Sequence, residues 1–193
     1  MPLPECFHCK YGEAGFPCRK ADGSFDFEKT GAAIVAIGRT FADDFDGDAE
    51  AVREELDWAS DCEYEINQDH PEMLLGLTAG AMDACQTPRD AAFVAAGPLE
   101  NAVVKHGALL IAKIEILAAR SAKFRYFLSA IWGQSRCDPD VWARVCKAVG
   151  HEGIMDTDGR GPSDGAPVSV FDDAEALALI LKERVGEAAR GVI

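Results

Sequence analysis

The chain has 193 residues, 48% of them hydrophobic, and a formal net charge of −14. That length suits one compact domain with a real core, and the apolar content excludes wholesale disorder. The acidity argues against direct nucleic-acid binding, which needs a basic surface, and no apolar run reaches the ~20 residues of a membrane span.

At the start, Met1-Pro2-Leu3-Pro4-Glu5 lacks a basic stretch followed by an apolar one, so no secretory signal is read and a cytoplasmic protein is expected. Cys6-Phe7-His8-Cys9 and then Cys18 follow, set among Gly12, Gly15 and Pro17. Two thiolates two residues apart can grip one tetrahedral ion, and a turn-rich loop can return a third. Cys6, Cys9 and Cys18 are therefore the candidate ligands of a structural zinc within residues 1–27. The pattern does not supply the fourth ligand, and unbound or redox-active thiols are the other reading. Seven cysteines in a reducing compartment do not suggest a disulfide framework.

A core domain is expected over 28–150. Glu28–Phe41 carries Ile34, Val35, Ile37 and Phe41 at helical spacing, with Gly31 and Gly38 as weak points. The segment 43–72 then holds thirteen Asp and Glu against one Arg. Its Asp44, Asp46, Asp48 and Glu55 follow calcium-loop spacing, but Ala49 stands where the sharp turn needs Gly. Asp48 as the N-cap of a helix over 49–57 explains the acids without a metal. Two readings of the acidic run remain: a solvated face that confers solubility, or a surface complementary to a basic partner. On the second, the binding residues are Asp43, Asp44, Asp46, Asp48, Glu50, Glu54, Glu55 and Asp57.

Asp69 reads as the cap of a helix entered through His70-Pro71-Glu72, with Met73, Leu74, Leu77, Ala81 and Cys85 as its buried stripe. Thr87-Pro88 restarts the chain. Ala91–Val104 follows, kinked or split at Gly97-Pro98 and ended by Gly107. Leu109–Ala119 and a helix from Phe124 through Trp132 to Gly133 come next. Asp138-Pro139 opens another that buries Val141, Trp142, Val145 and Val149. Residues 151–170 read as a flexible linker, and 171–193 as a C-terminal helix over Asp172–Ala189. The whole predicts an all-α bundle or a HEAT-like stack of helical hairpins, with a small cysteine-containing N-terminal loop.

One series of motifs stands out: Ala95-Ala96-Gly97-Pro98-Leu99-Glu100, His106-Gly107, Ile114-Glu115, Phe124-Arg125, Ile131-Trp132-Gly133 and Val141-Trp142-Ala143-Arg144-Val145. In order and spacing it resembles an uncharacterised bacterial family of small helical proteins, matched from about Ile66 to Val149. The resemblance implies an all-helical, HEAT-like core and brings no activity with it. The cysteine-bearing N-terminus, the acidic segment and the C-terminal helix would then be additions to that core.

Read physically, Ala95, Ala96 and Gly97 allow close helix approach and Pro98 redirects the chain. Glu100 caps or pairs with a cation such as Arg125 or Arg144. His106 bonds the last carbonyls of the helix before Gly107. Trp132 and Trp142 read as core residues.

No Gly-rich phosphate loop, nucleophile elbow or His-Glu-x-x-His motif is present in the sequence. An enzyme, of unknown class, would have to pair Cys85, Cys137 or Cys146 with His70, His106 or His151. The expectation is instead a non-enzymatic protein that inhibits or neutralises a basic protein partner. An immunity protein, or a phage-encoded inhibitor of a defence nuclease such as a CRISPR effector, fits that description. A zinc-stabilised helical adaptor is the alternative.

Overall fold

The computed structural model describes residues 17–42, 44–150, 178 and 182–193. Cys6, Cys9, Asp43, His151, the linker and most of the expected C-terminal helix lie outside these residues. Among the described residues the chain is all-α. In order come α1 (Phe27–Arg39), α2 (Ala49–Asp69), α3 (Leu74–Ala84), α4 (Pro88–Val94), α5 (Glu100–Val104), α6 (Gly107–Arg120), α7 (Ala122–Leu128), α8 (Pro139–Val149) and a final turn α9 (Val185–Ala188). An antiparallel bridge, Arg19 to Phe25, closes the turn before α1.

Short polar side chains start most of the longer helices by accepting N–H groups of the first turn. Asp26 does so for α1, Asp48 for α2, Ser121 for α7 and Asp138 for α8. Thr87 and Asp90 form a reciprocal capping box at α4.

The molecule is built around α3. Leu74 through Met82 are all buried, so this helix is apolar all round rather than along one stripe. Helix α1 packs on it more extensively than any other pair. Glycine makes that possible: a Cβ on Gly31 would strike the Ala81 backbone, and one on Gly80 the Phe27 carbonyl. Gly76 lies under the Phe27 ring and Gly38 under Phe93. The α1 glycines, weak points by propensity, are places of close packing: Gly31 where α1 meets α3, and Gly38 where it meets α4.

Several expectations are corrected. Phe41 lies beyond the end of α1 and is exposed. The second helix runs on to Asp69, which therefore ends α2 instead of capping the next helix; a 3-10 turn, Pro71–Met73, leads into α3. The helix expected from Phe124 to Trp132 stops at Leu128, and Trp132 is 36% exposed in the turn beyond it.

Pro98 splits its helix, as its missing donor requires, and does so through a π-helical segment, Ala95–Leu99. Nothing comes within 4 Å of where a Gly97 side chain would sit, so close approach is not the role of that residue. Gly107 opens α6 rather than ending α5, and its bare face receives Val141 of α8. The helix expected over Asp172–Ala189 is interrupted at Glu183 and Arg184, which are not helical.

Candidate functional site

Helix α2 is tied to the body along one side, where Trp58, Ala59, Cys62, Ile66 and Asn67 are buried. Lys29 of α1 lies over the Trp58 ring, 5.6 Å from its centroid. The helical repeat sets Glu50, Glu54, Asp57, Asp61 and Glu65 in a row three or four residues apart, with Glu50, Glu54 and Asp61 exposed and Glu65 half-buried. At ~1.5 Å per residue this row is about 22 Å long. Asp44, Asp46, Asp48, Glu50, Glu54 and Glu55 are exposed, and Asp57 is half-buried.

Arg53 donates to the Thr40 hydroxyl at 3.2 Å and lies 5.5 Å from the Phe41 ring centroid. Asp48 accepts the Glu50 and Ala51 N–H groups at 3.1 and 3.0 Å, so it serves the helix as well as its surface. Asp44 lies 3.8 Å from Arg89, an exposed and loose pair.

The motif residues scatter over several structural tasks. Glu100 is buried and accepts the Trp132 N–H at 2.8 Å and the guanidinium of Arg136. Arg136 takes the place given to Arg125 or Arg144 in the sequence reading, because Gly133 packs against Val104 and brings the loop after α7 onto α5. Arg144 instead pairs with Glu115 at 2.6 Å, which holds the Glu115 carboxyl below its ordinary range. Arg125 donates to the Ala118 carbonyl.

His106 does not bond the carbonyls behind it. Its Nε2 meets Asn67 Oδ1 at 3.0 Å, tying the α5–α6 junction to α2. Trp142 is core, as expected. Burial raises the Glu63 carboxyl pKa, with Lys105 opposing.

Four of the five described thiols are core groups. Cys18, Cys62, Cys85 and Cys137 are buried. Cys85 donates to the Ala81 carbonyl, and burial, with Asp90 nearby, pushes its pKa up to about 12. Such a thiol is a poor nucleophile at neutral pH. Among the described residues, neither His70 nor His106 shares a hydrogen bond with Cys85, Cys137 or Cys146; His70 lies against Glu72 and His106 against Asn67. No group of three or more His, Cys, Asp or Glu among the described residues could hold a metal. Two of the three candidate zinc ligands fall outside them.

A cluster that the sequence reading passed over joins the C-terminal tail to the body. Asp83, the sole charged residue of α3, has a side chain 4% exposed. It accepts the N–H groups of Val185 and Gly186 and lies 3.6 Å from the Nζ of Lys123, itself 1% exposed. Burial lowers the Lys123 pKa, against the pull of Asp83. A lone Asp in an apolar helix and a lone Lys beside Phe124 were the available signals. Next to the tail lies a cleft of about 290 Å³ between Phe27, Gly76, Gly80, Asp83 and Arg190.

No helix among the described residues is long and apolar enough to cross a membrane. A family of unknown function (DUF6869) matches residues 46–153. No curated protein and no solved structure matches the chain. The matched span begins just before α2 and ends just after α8, so the acidic helix lies within the family region rather than being an addition to it.

Proposed function

We propose that this chain, which belongs to that family of unknown function, is a binding protein that inhibits or neutralises a partner. It engages a basic surface of that partner with the outer face of α2. The observation that carries the reading is the row Glu50, Glu54, Asp57, Asp61, Glu65, three of them exposed and Asp57 and Glu65 half-buried, beside the buried row Trp58, Cys62, Ile66.

The row carries a cost within the helix itself. Like charges four residues apart cost an isolated helix about 0.2–0.5 kcal/mol per pair. The row contains Glu50 with Glu54, Asp57 with Asp61, and Asp61 with Glu65. Glu65 and Asp69 also lie toward the carboxyl end, where the helix dipole disfavours anions, and no basic residue occupies the last turn. A rigid line of carboxylates spaced about one helical turn apart is suited to a surface of Lys and Arg, such as a protein uses to hold a phosphate backbone.

The test is affinity capture with the wild-type chain and a Glu50→Lys, Glu54→Lys, Glu55→Lys variant side by side. These three positions leave the Asp48 cap intact. A basic protein retained by the wild type, released by salt and lost with the variant supports the reading. A specific partner held equally by both overturns it.

A further inference from the structure

The last residues of the chain are held by directional bonds from parts of the body far away in sequence. Asp83 Oδ1 accepts the Val185 N–H at 2.8 Å and Oδ2 the Gly186 N–H at 3.0 Å. The Arg184 Nε adds a third donor to Oδ2 at 3.2 Å. From α7, the Lys123 amine donates to the Glu183 carbonyl at 3.1 Å, and the Lys123 N–H donates to Glu183 Oε2, also at 3.1 Å. At the end of α6, Arg120 Nη1 reaches the Ala188 carbonyl at 3.4 Å. Val185 is fully buried and Ala189 nearly so.

These contacts read a peptide in two ways. Asp83 and Lys123 recognise main-chain groups: two consecutive N–H donors, and a carbonyl two residues before the first of them. The buried socket and the Arg184 contact recognise side chains, a branched apolar residue preceded by a cation. The recognising groups belong to α3, α6 and α7, while the recognised groups come 60 or more residues later. Local chain geometry therefore does not account for the match. Both main anchors are buried, so each depends on its partners: a buried amine or carboxylate stripped of its bonds is costly.

We propose that the edge formed by α3, α6 and α7 is a peptide-docking site built on Asp83 and Lys123. The chain's own residues 183–189 are its resident, exchangeable occupant. The site lies apart from α2 and does not depend on the acidic face.

The experiment uses the full chain carrying Val185→Asp, which places a charge in the fully buried socket and expels the tail. A fluorescent synthetic peptide of residues 182–193 is then titrated in. The expected result is one-to-one binding to this variant. Binding to the wild type is far weaker, because the tethered tail competes at an effective concentration on the order of millimolar. Adding Asp83→Ala to the variant lowers affinity at least about tenfold, since it removes the acceptor of both main-chain donors.

A Val185→Asp chain that keeps its helical circular dichroism yet takes no peptide overturns the proposal, as does binding indifferent to Asp83. Should that variant fail to fold, hydrogen exchange on the wild type decides. The proposal expects the Val185 and Gly186 amides to exchange while Leu77–Met82 stay protected. Exchange of both sets in one global opening would make the tail an integral part of the core.

Discussion

The guanidinium of Arg39 closes a two-pronged bridge with Asp90: Nε reaches Oδ1 at 2.9 Å and Nη2 reaches Oδ2 at 2.7 Å. Asp90 also accepts the Gln86 and Thr87 N–H groups, at 2.8 and 3.1 Å. One carboxylate thus fastens the end of α1 to the start of α4 and caps the latter.

Burial pushes the Asp90 carboxyl up, but the bonds from Arg39 and the two backbone donors outweigh it and hold its pKa below the usual value. The stabilisation is therefore complete above the unfolded-state pKa of about 3.9 and is lost as pH falls through the lower folded value. Asp90→Ala is expected to cost about 3 kcal/mol at pH 7 in urea unfolding. An Asp90→Asn chain should lose less stability than the wild type as pH falls below about 4.

Two glycines should respond very differently. Gly80→Ala drives a methyl into the Phe27 carbonyl at the α1–α3 crossing, and is expected to cost about 3 kcal/mol or more, or to prevent folding. Gly97→Ala meets nothing beyond its chain neighbours and has no positive φ, but the Pro98 ring disfavours a helical Cβ before it, so the change should stay within about 1 kcal/mol of the wild type. Thermal unfolding of the two variants beside the wild type checks both.

Glu100 and Arg136 form an unequal pair. Arg136 has a side chain 60% exposed, so Arg136→Ala should cost under about 1 kcal/mol. Glu100→Ala also leaves the Trp132 N–H without its acceptor, and should cost about 2 kcal/mol. Denaturant midpoints of both variants test the order; equal losses would show that the backbone bond contributes little.

Much of this fold is legible where a signal is local. Asp48, Thr87 and Asp138 announce helix starts because a cap needs one side chain and the next two or three N–H groups. Pro98 announces a break for the same kind of reason. What escapes is set by distant partners. Gly31 looks like a weakness until α3 is laid against it. His106 looks like a carbonyl-bonding terminus until Asn67, 39 residues away, is beside it. Asp83 and Lys123 show in sequence only as an Asp in an apolar helix and a Lys beside Phe124, and their meaning lies in a tail about 60 to 100 residues downstream. The acidic row on α2 was visible as charge, but its extent depended on knowing that α2 continues to Asp69.

The binding role of α2 is tested most directly by the salt dependence of affinity for a captured partner, measured by calorimetry for the wild type and the Glu50→Lys, Glu54→Lys, Glu55→Lys variant. A carboxylate face meeting a basic one predicts that wild-type affinity falls as salt is raised, because exposed charge pairs are screened over about 10 Å at 0.1 M. The variant, with its circular dichroism unchanged, should bind at least about tenfold more weakly at low salt. Equal affinity of the two chains, flat across ionic strength, would contradict it.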